Sequence, residues 1–151
     1  MTRLLDLGVP SYLLRSTLLG VLAQRLVRKL CKHCKKPVPT DPAQWQELVN
    51  GQRIEQPKQV YEAVGCLECR ETGYLGRIGI YEMLVLTQGV KDAIRDDADP
   101  VQLREASIRA GMMPLRIAGS QKVWTGVTTV AEVMRTTPPP PPRDAEPPNS
   151  P

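Results

Sequence analysis

The chain reads as a mixed α/β (α+β) fold: a helical start continued by a strand or a second helix, a segment organised by paired cysteines, a β-rich run and a small helical subdomain. Three observations predict this. The four cysteines stand in two pairs, Cys31-Lys-His-Cys34 and Cys66-Leu-Glu-Cys69. A glycine-punctuated run rich in β-formers, Gly73–Leu86, follows the second pair. Helix-start signals then recur at Thr87, Asp99-Pro100 and Thr129, where a polar cap precedes a periodic apolar stretch.

Taken in order, Arg3–Leu7 predicts a helical turn ending at Gly8. Pro10 and Ser11 open a helix over Tyr12–Leu19 that Gly20 can close. The apolar residues of Val21–Leu30 fit neither the helical nor the strand period. Asp41, Pro42 and Gln44 predict an N-cap, a first helical position and a capping box for a helix Pro42–Val49 that stops at Asn50-Gly51. Gln52–Gln59 reads as a polar loop and Gln59–Val64 as a short strand. After the β run, helices are predicted over Gln88–Arg95, from Asp99-Pro100 to Ala110, over Leu115–Trp124 ending near Gly126, and over Val130–Arg135, where Thr129 and Glu132 have capping-box spacing. From Thr137 the chain turns to proline, with Pro138–Pro142 uninterrupted, and residues 137–151 are expected to be a disordered, solvated tail.

A length of 151 residues suits one domain with tails, and with 4% aromatic residues and no Phe the core must be built from Leu, Val, Ile and Met. The net charge of +4 is too weak to imply nucleic acid. No secretory leader or membrane span is read: the apolar stretch Leu18–Ala23 stops at Gln24-Arg25, far short of the roughly 20 residues a spanning helix needs. A reducing cytoplasm is the expected setting, where paired CxxC motifs favour a metal over disulfides. A pair of disulfides is the alternative.

Two CxxC pairs supply four thiolates, the complement of a closed tetrahedral zinc site, so Cys31, Cys34, Cys66 and Cys69 are the candidate ligands of Zn2+. His33 can also ligate, but four sulfurs already suffice. Haem attachment needs a histidine after the second cysteine, and Lys35 stands there. No thioredoxin-like βαβ pattern surrounds either pair. Lys29, Lys32, Lys35, Lys36 and Arg70 crowd the motifs and offset the excess thiolate charge. Gly65 and Gly73 permit the tight turns that metal knuckles need. The site reads as a structural clamp, and chelation is expected to loosen Cys31–Cys69 while leaving the later helices largely intact.

Three strings carry a resemblance. They are Leu19-Gly-Val-Leu-Ala-Gln24-Arg25-Leu-Val-Arg28-Lys-Leu-Cys31, then Gly65-Cys-Leu-Glu-Cys-Arg-Glu-Thr-Gly73-Tyr74-Leu-Gly76-Arg77-Ile-Gly79-Ile-Tyr81-Glu82, and Gly111-Met-Met-Pro-Leu115-Arg116 continued by Lys122–Val133. Together, from about Met1 to Thr136, they resemble the C-terminal part of the ATPases that drive type II secretion and type IV pilus assembly, in the tetracysteine-containing secretion and pilus-extension branches.

The resemblance implies a hexameric, cytoplasmic ATPase of RecA-like fold at the inner membrane, docked on a platform protein of the secretion or pilus machine. It divides the chain into 1–30, the end of the RecA-like core; 31–73, the tetracysteine zinc-binding subdomain; 74–136, a β segment plus helical subdomain; and the tail 137–151. It implies that Gln24 and Arg25 lie near the nucleotide-binding core; a surface arginine on an amphipathic element is the alternative for Arg25. The sequence carries no G-x-x-x-x-G-K-[ST] loop and no Gly-Lys pair. ATP and Mg2+ are therefore expected only in an intact parent enzyme, and this chain is expected to be a fragment that does not hydrolyse ATP alone.

Gly73, Gly76 and Gly79 are read as turn geometry rather than a phosphate cradle, because their spacing is not G-x-G-x-x-G. Arg77 and Glu82 stand open between an ion pair on a solvated face and, for Arg77, a role in fixing the cysteine loop or meeting a neighbouring subunit. A zinc-ribbon nucleic-acid or protein-interaction module is the alternative function. The missing aromatics near the lysines argue against nucleic acid.

Overall fold

The computed structural model describes residues 2–50 and 52–139. The expectations placed on Gly51 and on most of the proline-rich tail (140–151) fall outside those residues. The architecture is mixed helix and sheet, in the order α1 (Thr2–Asp6), α2 (Ser11–Thr17), β1 (Gly20–Leu30), β2 (Lys36–Pro39), α3 (Pro42–Val49), β3 (Gln59–Glu62), β4 (Tyr74–Val85), α4 (Gln88–Asp92), α5 (Pro100–Arg109), α6 (Leu115–Trp124) and α7 (Val130–Thr136). Among the described residues the strands form two ladders, β1 with β4 and β2 with β3.

The chain packs as two units, each made of two separate stretches: Met1–Ala23 with Tyr81–Pro114, and Gln24–Ile80 with the described part of Leu115–Pro151. In the first unit, Leu14, Leu84, Leu86, Val90, Ile94, Leu103 and Met112 close a small core. Asp99 caps α5 by accepting from the Val101 N–H at 2.9 Å, and Pro100 takes the first helical position, where its missing N–H is harmless. Thr87 precedes α4 without a side-chain cap, and the helix ends at Asp92, three residues before the predicted Arg95.

The segment Gly20–Leu30 resolves as a strand. Gly20 opens it rather than closing α2, whose C-cap is Leu18. Periodicity failed here because residues on both faces of β1 are exposed and only Val27 and Leu30 are buried.

In the second unit, Trp45, Leu48 and Val49 of α3 pack with Val60 of β3, Ile117 and Val123 of α6, and Val130 and Val133 of α7. Asp41 caps α3 by accepting from Ala43 N at 2.9 Å. Asn50 ends that helix in the left-handed region, at φ 48°. Helix α6 closes in a Schellman motif: the N–H groups of Gly126 and Val127 donate to the carbonyls of Val123 and Lys122, each at 2.9 Å. Gly126, at φ +65°, is required there because a Cβ would lie 2.6 Å from the Tyr61 ring.

Strand β2 had no signal in the sequence because it contains two prolines. It pairs antiparallel with β3, Lys36 opposite Glu62 and Val38 opposite Val60. Pro37 and Pro39 alternate with these residues, so their missing N–H groups fall on the open edge, while Thr40 N donates to Lys58 O at 3.2 Å on the paired side. No helix among the described residues is long and apolar enough to cross a membrane.

Candidate metal centre

The cysteine loops are built almost wholly from backbone turns. Cys31 leaves the end of β1, and its carbonyl accepts from Cys34 N (3.4 Å) and Lys35 N (3.0 Å), which folds the first pair back on itself. In the second loop a 3-10 turn, Leu67–Cys69, places Cys69 beside Cys66. Arg70 and Glu71 then take left-handed backbone, at φ 53° and 61°, to reverse the chain.

Gly73 completes the turn at φ +74°, where an added Cβ would lie 2.6 Å from Ala63 Cβ. Cys31 N donates to Gly73 O at 2.9 Å and joins the two loops. Gly65, at φ +121°, lets the chain pass over Glu71.

The four sulfurs converge within 4.8 Å of one another. Sγ–Sγ separations are 3.9 Å for Cys31–Cys66, 3.8 Å for Cys34–Cys69 and 3.7 Å for Cys66–Cys69. Zn–S bonds of about 2.3 Å set the edge of a sulfur tetrahedron at about 3.8 Å. A disulfide needs about 2.05 Å, and all four cysteines are free thiols. The cluster is thus compatible with a metal site.

Backbone N–H groups point at the sulfurs: Gly65 N at Cys34 Sγ (3.3 Å), and Cys66 N and Gly73 N at Cys69 Sγ (3.3 and 3.2 Å). Burial raises the Cys69 thiol, yet the N–H groups of Cys66 and Gly73 and the neighbouring thiols outweigh it and bring its pKa down to about 6. A backbone N–H lowers the Cys66 thiol, but burial and three adjacent thiols push it up to about 11. Burial likewise leads the rise at Cys34. Four sulfurs this close cannot all carry charge unaided, and a dication relieves that conflict.

Lys35 reaches out of the first pair. Its Nζ donates to Gly126 O at 2.7 Å and lies 4.4 Å from the centre of the Tyr61 ring. Three residues upstream of Cys31, the Arg28 guanidinium donates to Glu132 Oε2 (3.1 and 2.8 Å) and the Arg28 backbone N–H to Oε1 (3.1 Å). Arg135 adds a bond to Oε1 at 2.8 Å. The Glu132 side chain is only 1% exposed. Burial alone would raise its carboxyl, but these bonds outweigh it and hold the pKa at about 2.

The Tyr74 ring stacks on the Arg28 guanidinium at 4.0 Å. Its hydroxyl meets Thr129 Oγ1 at 3.0 Å, and Thr129 caps α7 by accepting from Glu132 N at 3.2 Å. The capping-box spacing of Thr129 and Glu132 is visible in the sequence, whereas the ties of Glu132 to Arg28 and of Tyr74 to Thr129 and Arg28 are not. The available signal was a lone glutamate in the apolar run Val130–Met134.

Other candidate residues lie apart from the sulfurs. Gln24 and Arg25 are exposed on β1, with Arg25 Nη1 donating to the Gln24 carbonyl at 3.0 Å. Glu82 pairs with Arg104 at 3.3 Å rather than with Arg77. Arg77 and Glu82 are five residues apart on β4, and an odd spacing sends strand side chains to opposite faces. Arg77 is exposed. Gly76, at φ +77°, and Gly79 lie within β4, which runs on through both without a helix N-terminus.

A family model described as type II/IV secretion system protein matches residues 1–135. The chain is 50% identical over 138 residues to the type IV pilus assembly ATPase TfpB of Acinetobacter baylyi, covering 91% of this chain and 24% of that protein. It is 43% identical over 136 residues to the type II secretion system ATPase E of Vibrio cholerae, covering 90% and 26%. It is 38% identical over 136 residues to the type IV pilus assembly ATPase PilB of Thermus thermophilus, covering 90% and 15%. The chain spans about a quarter of the length of the first two of these relatives.

Proposed function

Because this chain belongs to the type II/IV secretion system protein family, we propose that it is a non-catalytic part of a motor ATPase that powers type II protein secretion or type IV pilus assembly. Residues 1–30 are then the end of a RecA-like core, 31–73 a zinc-binding subdomain, and 74–136 the β segment and helical subdomain that follow. Cys31, Cys34, Cys66 and Cys69 hold Zn2+, which cross-links the loops at 31–36 and 65–73 and supplies no open coordination position for chemistry.

The observation that carries this reading is the convergence of the four sulfurs at tetrahedral spacing in a chain matched to the family along 1–135. ATP and Mg2+ belong to the longer proteins of the family. The phosphate-cradling loop they require is absent from this sequence, so the chain does not hydrolyse ATP by itself. Gln24 and Arg25, exposed on β1, are available to the nucleotide-binding region or to a neighbouring subunit of a homo-hexamer. The working setting is the cytoplasmic face of the inner membrane, on the platform protein, and no nucleic acid is involved.

The test is elemental analysis of reduced, freshly purified chain. One zinc per chain is expected, falling to well below half in Cys31→Ser or Cys69→Ser. Zinc-free wild-type material would remove the clamp. Steady phosphate release above a heat-killed control would remove the non-hydrolytic part of the proposal.

A further inference from the structure

We infer that the cysteine cluster and the N-terminus of α7 form one cooperative unit, so that metal occupancy at Cys31, Cys34, Cys66 and Cys69 sets the order of the α6–α7 turn and the first turn of α7. The inference rests on the metal reading above and extends it to residues that hold no metal.

Six contacts carry it, all within the second unit. Lys35, next to Cys34, donates to Gly126 O in the α6–α7 turn at 2.7 Å. Leu30, next to Cys31, donates from its N–H to Val127 O at 2.9 Å. The Arg28 carbonyl accepts from Thr128 Oγ1 at 2.8 Å. Tyr74, one residue past Gly73, meets the α7 cap Thr129 at 3.0 Å and stacks on Arg28, which holds Glu132.

Gly73 in turn is bonded into the cluster twice, its N–H to Cys69 Sγ at 3.2 Å and its carbonyl from Cys31 N at 2.9 Å. The turn after α6, the cap of α7 and the carboxylate of its first turn therefore all hang on residues within three positions of a cysteine, or on Tyr74. When the metal leaves and the sulfurs lose their common tie, the positions of Arg28, Lys35 and Tyr74 loosen together, and the first turn of α7 loses its cap and its ion pair at once. The loose end is selective. Val130 and Val133 keep their packing in the core with α3 and α6, so the response belongs to residues 125–132 and not to the whole helical region. This differs from the expectation that chelation leaves the later helices intact.

Hydrogen exchange on the zinc-loaded, reduced full chain, before and after EDTA, tests the link. Amides of Val127–Glu132 are expected to exchange about tenfold faster or more after chelation, in step with the two cysteine loops, while Pro100–Arg109 in the other unit changes less than about twofold. In Tyr74→Phe, which keeps the stacked ring and removes the hydroxyl, the chelation response at Val127–Glu132 should shrink to about threefold or less while the loops respond as before. The inference is overturned if the loops respond and Val127–Glu132 does not, or if exchange rises equally in Pro100–Arg109. A wild-type response in Tyr74→Phe overturns the route through Tyr74. Loops that ignore EDTA overturn the metal reading and this inference with it.

Discussion

Replacing Glu132 by Gln keeps the shape of the side chain and removes the charge that Arg28 and Arg135 share. The carboxyl has a pKa of about 2 in the folded chain, against an ordinary value of 4.5. A pKa depressed by folding stabilises the native state fully above the unfolded value and progressively less as pH falls toward the folded one. Linkage over that interval gives about 3 kcal/mol at pH 6 and about 1 kcal/mol at pH 3.

The hydrogen bonds act in the same direction. Four bonds run from arginine side chains and one from the Arg28 backbone N–H. The guanidinium partners are 45% and 63% exposed and regain water when the charge goes. That discounts each bond well below the roughly 1.5–3 kcal/mol of a buried charged one. The assay is denaturant unfolding of wild type and Glu132→Gln, followed by Trp fluorescence at pH 6 and pH 3, with the difference between the two chains as the readout. A difference below about 0.5 kcal/mol at pH 6, or one that does not shrink by pH 3, would refute the assignment of Glu132 as an ionised internal tie.

Three further outcomes follow from local geometry. Gly73→Ala puts a methyl 2.6 Å from Ala63 Cβ at φ +74°, and a competition titration with a colorimetric chelator should show zinc affinity lowered about tenfold or more; unchanged affinity would deny that this turn shapes the cluster. Gly119→Val forces a branched side chain into Val133, which already stands against the bare α6 backbone; a loss of about 1–3 kcal/mol in urea unfolding is expected, whereas wild-type stability would mean the two helices do not pack there. Asp99→Ala removes the acceptor for Val101 N and should cost about 1 kcal/mol of first-unit stability, seen as faster amide exchange confined to Pro100–Arg109. Exchange unchanged in that segment would show that the cap contributes nothing.

Elements with chemical punctuation were legible in the sequence. Asp41-Pro42 and Asp99-Pro100 marked α3 and α5 because a carboxylate and a proline act on the backbone beside them. Gly126 marked the end of α6 because its turn needs left-handed backbone. Elements that depend on partners were not. β1 has too few buried residues to show a period, and β2 has prolines whose harmlessness rests on which edge is open. Thr87 had the letters of a cap but not the bond. Of the candidate site, the four sulfurs were readable from two CxxC spacings, but the ring of Arg28, Tyr74, Thr129 and Glu132 was not.

The sequence alone determined the family, through three ordered strings and two cysteine pairs, and with them the four thiols of one candidate metal site. Both are properties of residue type and short spacing. The tertiary structure decided what the cysteine loops are attached to. Arg28 and Glu132 lie 104 positions apart, and Lys35 and Gly126 lie 91 apart. A hydrogen bond between residues so distant leaves no mark on the local pattern of either, because it exists only once the chain has closed the loop between them.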